Sequence, residues 1–226
     1  MRIVFFGTPD FALESLQVLH EAHQVLAVVT AADKPGGRGH QLIESPVKKW
    51  AMEHKIPVFQ PKNLKGSIFH SKISSLGADL FVAVAFRMLP KSIWNLPPLG
   101  TINLHGSLLP KYRGAAPIQR AILAGEKETG LTTFIISETI DTGSILMQVR
   151  TPIGPDECFG ELYERLKKMG GPLLLNTLKG LENGTLHATP QNDQEASSAP
   201  KITGDDLVIE WSKKAAEVNN QVRAFS

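Results

Sequence analysis

Apolar residues run through this chain in short blocks that alternate with segments of helical spacing. Arg2 to Phe6 is a mostly apolar run closed by Gly7, the pattern of a buried strand. Pro9-Asp10 opens a segment in which Ala12, Leu16 and Leu19 recur at i, i+4 and i+7, one face of a helix. Val25 to Thr30 returns to the strand pattern. Strand, helix and strand in that order make a β-α-β unit, which calls for parallel strands and a right-handed crossover. Ser45-Pro46 caps a helix running to about Lys55, with Ser at the cap and Pro in the first turn. Val58-Phe59 reads as a short strand, and Ser67 to Leu76 as a helix stopped by Gly77. Leu80 to Phe86 is unbroken apolar sequence, as in a central strand covered on both faces.

The alternation continues to the end of the chain. A short helix through Trp94 precedes a strand that delivers Asn103 and His105. Pro117 to Ala124 reads as a helix closed by Gly125, and Leu131 to Ser137 and Ile145 to Ile153 as strands. Glu157 to Gly184 is helical, with Leu162, Leu166, Met169, Leu173 and Leu174 as its apolar stripe and a kink expected at Gly170-Gly-Pro172. Ala31 to Ile43, with its Gly/Pro cluster, reads as irregular, and Gln191 to Pro200 as a Ser/Ala/Asn-rich surface loop. Asp206 to Trp211 reads as a short strand, followed by a helix capped by Ser212. The pattern predicts a doubly wound α/β fold with a mostly parallel sheet over residues 1–190, carrying a loop at 31–49. Residues 191–226 read as an extension and the start of a linker. A helical pattern without a C-cap at Ser226 marks the expected break from a longer protein.

Composition narrows the class. With 42% apolar and 20% charged residues the chain suits a soluble globular core. No apolar run approaches the ~20 residues of a membrane helix, and the N-terminus shows no signal-peptide cleavage pattern. One cysteine, Cys158, excludes an internal disulfide and fits a reducing cytosol. Net charge is +2, but residues 34–65 hold seven Lys/Arg against Glu44 and Glu53. That segment is either a solvated surface or a contact for a polyanion. Gly7-Thr-Pro-Asp10 has one glycine and is not a dinucleotide loop. His20, His23 and His54 lack partners at metal-ligand spacing, so no metal is expected.

The candidate chemistry lies at Asn103, His105 and Asp141. In a strand, residues two apart share a face, so Asn103 and His105 point the same way. Each of the three lies at a strand end or in the turn beyond it, where open α/β sheets place ligands. An amide that steadies an oxyanion and an imidazole oriented by a carboxylate suit attack of an amine on a carbonyl carbon. Ser107 lacks a nucleophile elbow around it. The alternative is structural: His105 bonded to a backbone carbonyl, Asn103 capping a turn and Asp141 in an Asx-turn.

The run Asn103-Leu-His105-Gly-Ser-Leu-Leu-Pro-Lys-Tyr-Arg-Gly-Ala-Ala-Pro-Ile-Gln119, with Ile140-Asp141-Thr-Gly143 and Gly7-Thr-Pro-Asp-Phe11, resembles the methionyl-tRNA formyltransferases. The resemblance extends over the whole chain, including Asp33-Lys-Pro-Gly-Gly-Arg38-Gly and Ser45-Pro-Val-Lys48. The Asn/His/Ser-Leu-Leu-Pro motif is shared with the wider group of folate-dependent formyl enzymes. The resemblance implies transfer of a formyl group from 10-formyltetrahydrofolate to the α-amine of methionyl initiator tRNA, in the cytoplasm and by a monomer. It implies that Asn103 holds the formyl oxygen, that His105 stabilises or protonates the oxyanion, and that Asp141 orients His105 and relays the amine proton. Phe86, Arg87, Met88, Leu89, Ser107, Leu108, Leu109, Pro110, Thr139, Ile140 and Gly143 would bind folate. Lys34, Arg38, Gly39, Lys48 and Lys49 would contact tRNA. The family continues into a C-terminal β-barrel, expected to be missing here. Arg87 and Ser144 depart from the family pattern. Two alternatives remain at this level: a formyl enzyme with water, a sugar amine or a ribonucleotide amine as acceptor, and a non-catalytic nucleotide- or RNA-binding module.

Overall fold

The computed structural model describes residues 1–36 and 41–226. Its core is a seven-stranded sheet. In chain order the first half comprises β1 (Arg2–Gly7), α1 (Phe11–Ala22), β2 (Gln24–Val29), β3 (Lys34–Gly36), β4 (Gln41–Ile43), α2 (Pro46–Glu53), β5 (Val58–Phe59), α3 (Ser67–Ser75), β6 (Leu80–Val84) and α4 (Lys91–Trp94). The second half comprises β7 (Thr101–His105), β8 (Arg113–Gly114), α5 (Pro117–Leu123), β9 (Glu128–Ile135), β10 (Ile145–Pro152), α6 (Phe159–Glu182), β11 (Ser198–Ala199) and α7 (Ala215–Ala224). The sheet order is β10-β9-β7-β6-β1-β2-β5. The pairs among β5, β2, β1, β6 and β7 are parallel, whereas β9 runs antiparallel to β7 and to β10. From β1 the chain moves outward to β2 and β5, then returns to place β6 on β1's other side. The carboxyl ends of β1 and β6 therefore flank the topological switch point, where such sheets open a crevice.

Alternation along β1 builds the two layers. Ile3 and Phe5 face a core shared with α1, α2, α5 and α6; Val4 and Phe6 face a second core with Phe81, Phe69 and Ile93. Phe5, Phe6 and Phe81 are fully buried, each worth roughly 1.5–3 kcal/mol relative to exposure. Among the described residues no helix is long and apolar enough to cross a membrane.

Five local expectations change. Ala31 to Ile43 is not irregular throughout, because β3 and β4 pair antiparallel, Lys34 opposite Ile43. Gly36 permits this, since a Cβ there would sit 2.2 Å from Ile43 Cδ1. The helix expected to kink at Gly170-Gly-Pro172 runs as one 24-residue element. Its two glycines serve close packing: a Cβ would lie 2.8 Å from Leu104 Cδ2 at Gly170 and 2.8 Å from Val18 Cγ2 at Gly171. The stretch Gln191 to Pro200 holds β11, which adds parallel to β8. The Asp206–Trp211 strand is replaced by a single 3₁₀ turn at Asp205–Leu207, and the last helix is capped at Lys214, whose N–H donates to the Glu217 carboxylate at 3.1 Å, rather than at Ser212.

That turn is held by charge. Arg120 of α5 donates to both Asp206 carboxylate oxygens at 2.7 and 3.0 Å, and Thr203 N–H donates at 2.8 Å. Hydrogen bonds from Arg120 first, then Thr203, hold the Asp206 carboxyl below the usual range. A carboxyl with a lowered folded pKa contributes stability above its unfolded value, about 3.9, and loses it as pH falls through the folded one. Asp206→Asn is therefore expected to be less stable than the parent at pH 7 and to converge with it as pH falls below about 3.9 and through the lowered folded pKa. Thermal melts across that range check this; an unchanged gap at low pH counts against it.

Candidate active site

Asn103 and His105 emerge from β7 on the face opposite Ile102 and Leu104, which belong to the α1/α6 core. Thr101, on their face, donates its hydroxyl to Trp94 O at 2.7 Å and so anchors the strand to α4. Asp141 reaches the same place from the turn between β9 and β10. All three line one cavity of about 680 Å³. One wall comes from each layer. Phe86 to Leu89 and Ile136 to Ile140 belong to the α3/α4 side, and Phe11, Ile118, Phe159 and Tyr163 to the α1/α6 side.

His105 is buried, with 6% of its surface exposed. Its Nε2 lies 2.8 Å from Tyr112 O. A carbonyl only accepts, so Nε2 carries the hydrogen and donates it, which leaves Nδ1 facing Asp141. The Asp141 carboxylate stands 3.6 Å from Nδ1. That is too long for a hydrogen bond; Oδ2 accepts instead from Gly114 N–H at 2.8 Å. The orienting group is thus the Tyr112 carbonyl, where the sequence pointed to Asp141. The structural alternative for His105, a bond to a backbone carbonyl, is present and leaves the second nitrogen on the cavity side. For Asp141 it is replaced by a contact 27 residues away in sequence. Among the described residues the Asn103 side chain makes no hydrogen bond, and its amide is available to the cavity.

The backbone is bent to achieve this. Ala85 (φ 47°), Tyr112 (φ 60°) and Asp141 (φ 55°) are three of the four non-glycine residues with positive φ among those described. Each costs of order 1–3 kcal/mol and needs surrounding structure to hold it. Ala85 turns the chain from β6 into the Phe86–Leu89 wall, and Tyr112 aims its carbonyl at His105. The Tyr112 hydroxyl donates to Glu126 at 2.7 Å; burial first, and that carboxylate second, push its pKa well up. On the opposite wall Tyr163 packs between Phe11 and Phe159, with ring centroids 5.2 and 5.4 Å away. Its hydroxyl donates to Asp10 at 2.7 Å, and its pKa is likewise pushed up by burial and by Asp10.

Other expected residues divide. Phe86, Arg87, Met88, Leu89, Thr139 and Ile140 line the cavity. Ser107, Leu108, Leu109, Pro110 and Gly143 are not among the residues lining it. Ser107 is fully buried and donates to Lys111 O at 2.6 Å, and Leu109 N–H donates to Thr132 Oγ1 at 3.1 Å. Ser107–Pro110 therefore braces the loop beneath the cavity. Gly143 packs directly on the Ile135 carbonyl. Arg87 donates to the carbonyls of Pro61 and Lys62, fixing the wall to the β5 side. Of the basic residues, Lys34 and Lys49 are exposed. Lys48 instead bonds Asp33 and sits 2.7 Å from Glu44, so its charge is neutralised within the protein. Arg38 and Gly39 lie outside the described residues. Among those described, no group of His, Cys, Asp and Glu gathers as a metal site. Sequence reasoning missed the aromatic wall of Phe11, Phe159 and Tyr163, and it missed Gln191.

A crevice at the switch point of a mostly parallel sheet, with an amide unbonded among the described residues beside an anchored imidazole, suits group transfer at a carbonyl carbon, and the sequence comparisons place the chain among the formyl transferases. The sequence model of the formyl transferase family matches residues 1–178. The methionyl-tRNA formyltransferase of Porphyromonas gingivalis strain W83 is 48% identical, over 100% of this chain and 72% of that protein; the one of Bacteroides fragilis is 44% identical, over 100% and 71%. The chain belongs to the methionyl-tRNA formyltransferase family. An N-formyltransferase from Helicobacter canadensis, solved with folinic acid and dTDP-3-aminofucose, superposes with a TM-score of 0.78 at 26% identity, covering 99% of this chain and 80% of that one. Glycinamide ribonucleotide transformylase 1 of Symbiobacterium toebii shares the fold, with a TM-score of 0.71 at 17% identity over 85% and 94% of the two chains.

Proposed function

We propose that this chain moves a formyl group from 10-formyltetrahydrofolate to the α-amine of methionine carried on initiator tRNA. The observation that carries the chemistry is the Asn103 amide, unbonded among the described residues, beside a His105 whose Nε2 is tied to Tyr112 O. The folate supplies the formyl carbon as an activated amide. Asn103 donates to the formyl oxygen, where negative charge develops as the amine nitrogen bonds to the carbon. His105, held through Nε2, presents Nδ1 for the proton that leaves the amine, and Asp141 stabilises the resulting imidazolium. The proton returns to the folate nitrogen as its bond to the formyl carbon breaks. Phe86–Leu89 with Thr139 and Ile140 take the folate ring. The supports are their place on one wall of the cavity and the folinic acid in the Helicobacter canadensis relative's structure. Asn103, His105 and Asp141 come from one chain and line one cavity, and the protein is read as acting as a monomer. The lone Cys158, unpaired, suits the cytoplasm, where charged tRNA is used.

The basic segment with Lys34, Arg38, Gly39 and Lys49 takes the acceptor end of the tRNA through phosphate contacts. Arg38→Ala is expected to weaken use of tRNA and steepen nothing else: folate affinity stays the same. Equal losses on both substrates would refute the assignment of this segment to tRNA. The reaction itself is tested by incubating the protein with 10-formyltetrahydrofolate and methionyl initiator tRNA. Formyl-methionyl-tRNA is the expected product. Folate deformylation, or formylation of a sugar amine or ribonucleotide amine in its place, overturns the tRNA reading.

A further inference from the structure

We infer that the segment Gln191–Ala199 is a brace that sets both partners of His105, with Gln191 as the positioning residue for Asp141. This rests on the catalytic roles proposed above for His105 and Asp141. The segment lies beyond the residues matched by the family model, 1–178, and no motif in it announces a role.

Every hydrogen-bonding site of the Gln191 amide is occupied. Its Nε2 donates to Asp141 O at 2.9 Å and to Gly143 O at 2.7 Å. Its Oε1 accepts from Arg113 Nε at 3.0 Å and Nη2 at 2.8 Å. An amide has two N–H donors and an oxygen with two lone pairs, so all four are used. Arg113, with 16% of its side chain exposed, also pairs with Asp193 at 2.7 Å. Gln191 thereby clamps the turn that holds Asp141 at φ 55° to the strand that follows Tyr112. A non-glycine residue in that conformation stays there only if its surroundings hold it.

The rest of the segment grips the other partner. Ser197 Oγ accepts from Tyr112 N–H at 2.9 Å, and Ser197 O accepts from Arg113 N–H at 2.8 Å. Ala199 O accepts from Ala116 N–H at 3.2 Å. A Cβ at Gly114 would approach Ala199 O to 2.5 Å, so the brace lies directly on the loop. The two ends of one nine-residue segment thus fix the carboxylate that faces Nδ1 and the carbonyl that receives Nε2–H. Neither His105 contact is made by the brace itself, which is what distinguishes positioning from catalysis.

The test is a double-mutant cycle on the intact protein. Gln191→Leu keeps the volume and removes all four bonds. It is expected to lower kcat about 10-fold or more with KM for folate changed less than about threefold, the pattern of an interaction felt in the transition state. In an Asp141→Asn background the same change is expected to lower kcat less than about twofold, because groups that act as a unit are non-additive. Gln191→Glu is the second variant: it keeps the acceptor for Arg113 but turns a carboxylate toward two carbonyls, and should lose kcat similarly. Equal losses with and without Asp141, or a KM rise with kcat intact, overturn the inference. So does a kcat within about twofold of the parent for both variants, well below the loss expected of a positioning group. If Asp141→Asn alone leaves kcat unchanged, the catalytic assignment fails first, and the two failures are distinguished.

Discussion

Replacing His105 by alanine is expected to lower kcat for formyl transfer by a factor on the order of 10²–10⁴, the usual effect of removing an acid–base group. The loss should fall on kcat, because no expected folate contact runs through the imidazole. Removing the ring also strands the Tyr112 carbonyl, which now receives Nε2–H at 2.8 Å, at a cost of about 1–3 kcal/mol in stability. A thermal melt separates that cost from catalysis. Asn103→Ala gives the complementary result, a comparable loss in kcat on the order of 10²–10³, with little change in stability, since its amide bonds nothing within the described protein. A loss smaller than about fivefold in either variant, far below what such groups contribute, would remove the role assigned to that residue.

The second large effect is structural. Gly143→Ala places a Cβ 1.7 Å from Ile135 O, a backbone atom that cannot swing aside. The turn must then move, and with it Asp141, two residues earlier. A cost of about 3 kcal/mol or more is expected, at the upper end for overpacking, which for a chain of this size lowers Tm by about 6–12 °C. Gly204→Ala is the control: nothing lies within 4 Å of its Cβ, and the change should stay within about 0.5 kcal/mol. Equal melts for the two variants would show that the turn tolerates displacement.

Much of the fold was readable because it rests on local pattern. The β1–α1–β2 unit, the fully buried β6 and the polar end of β7 follow from period-two and period-3.6 spacing, and such spacing reports directly which face meets the core. Where reading failed, a distant partner had overridden local preference. Gly36 looked like a breaker until Ile43 crossed over it. Gly170 and Gly171 looked like a kink until α1 packed against them. Asp206 sat in a strand-like run, yet Arg120, 86 residues away, drew it into a turn.

The site divides in the same manner. Sequence by itself determined that Asn103 and His105 share a face, because strand geometry admits no other arrangement two residues apart, and that this pair sits at the end of a strand in an α/β sheet. Only the tertiary structure decided how His105 is held. The Tyr112 carbonyl, the 3.6 Å approach of Asp141 and the Gln191 clamp each depend on backbone atoms and on contacts between distant segments. A backbone carbonyl is the same group at every residue, so no side-chain pattern marks the one that will face an imidazole; packing alone selects it.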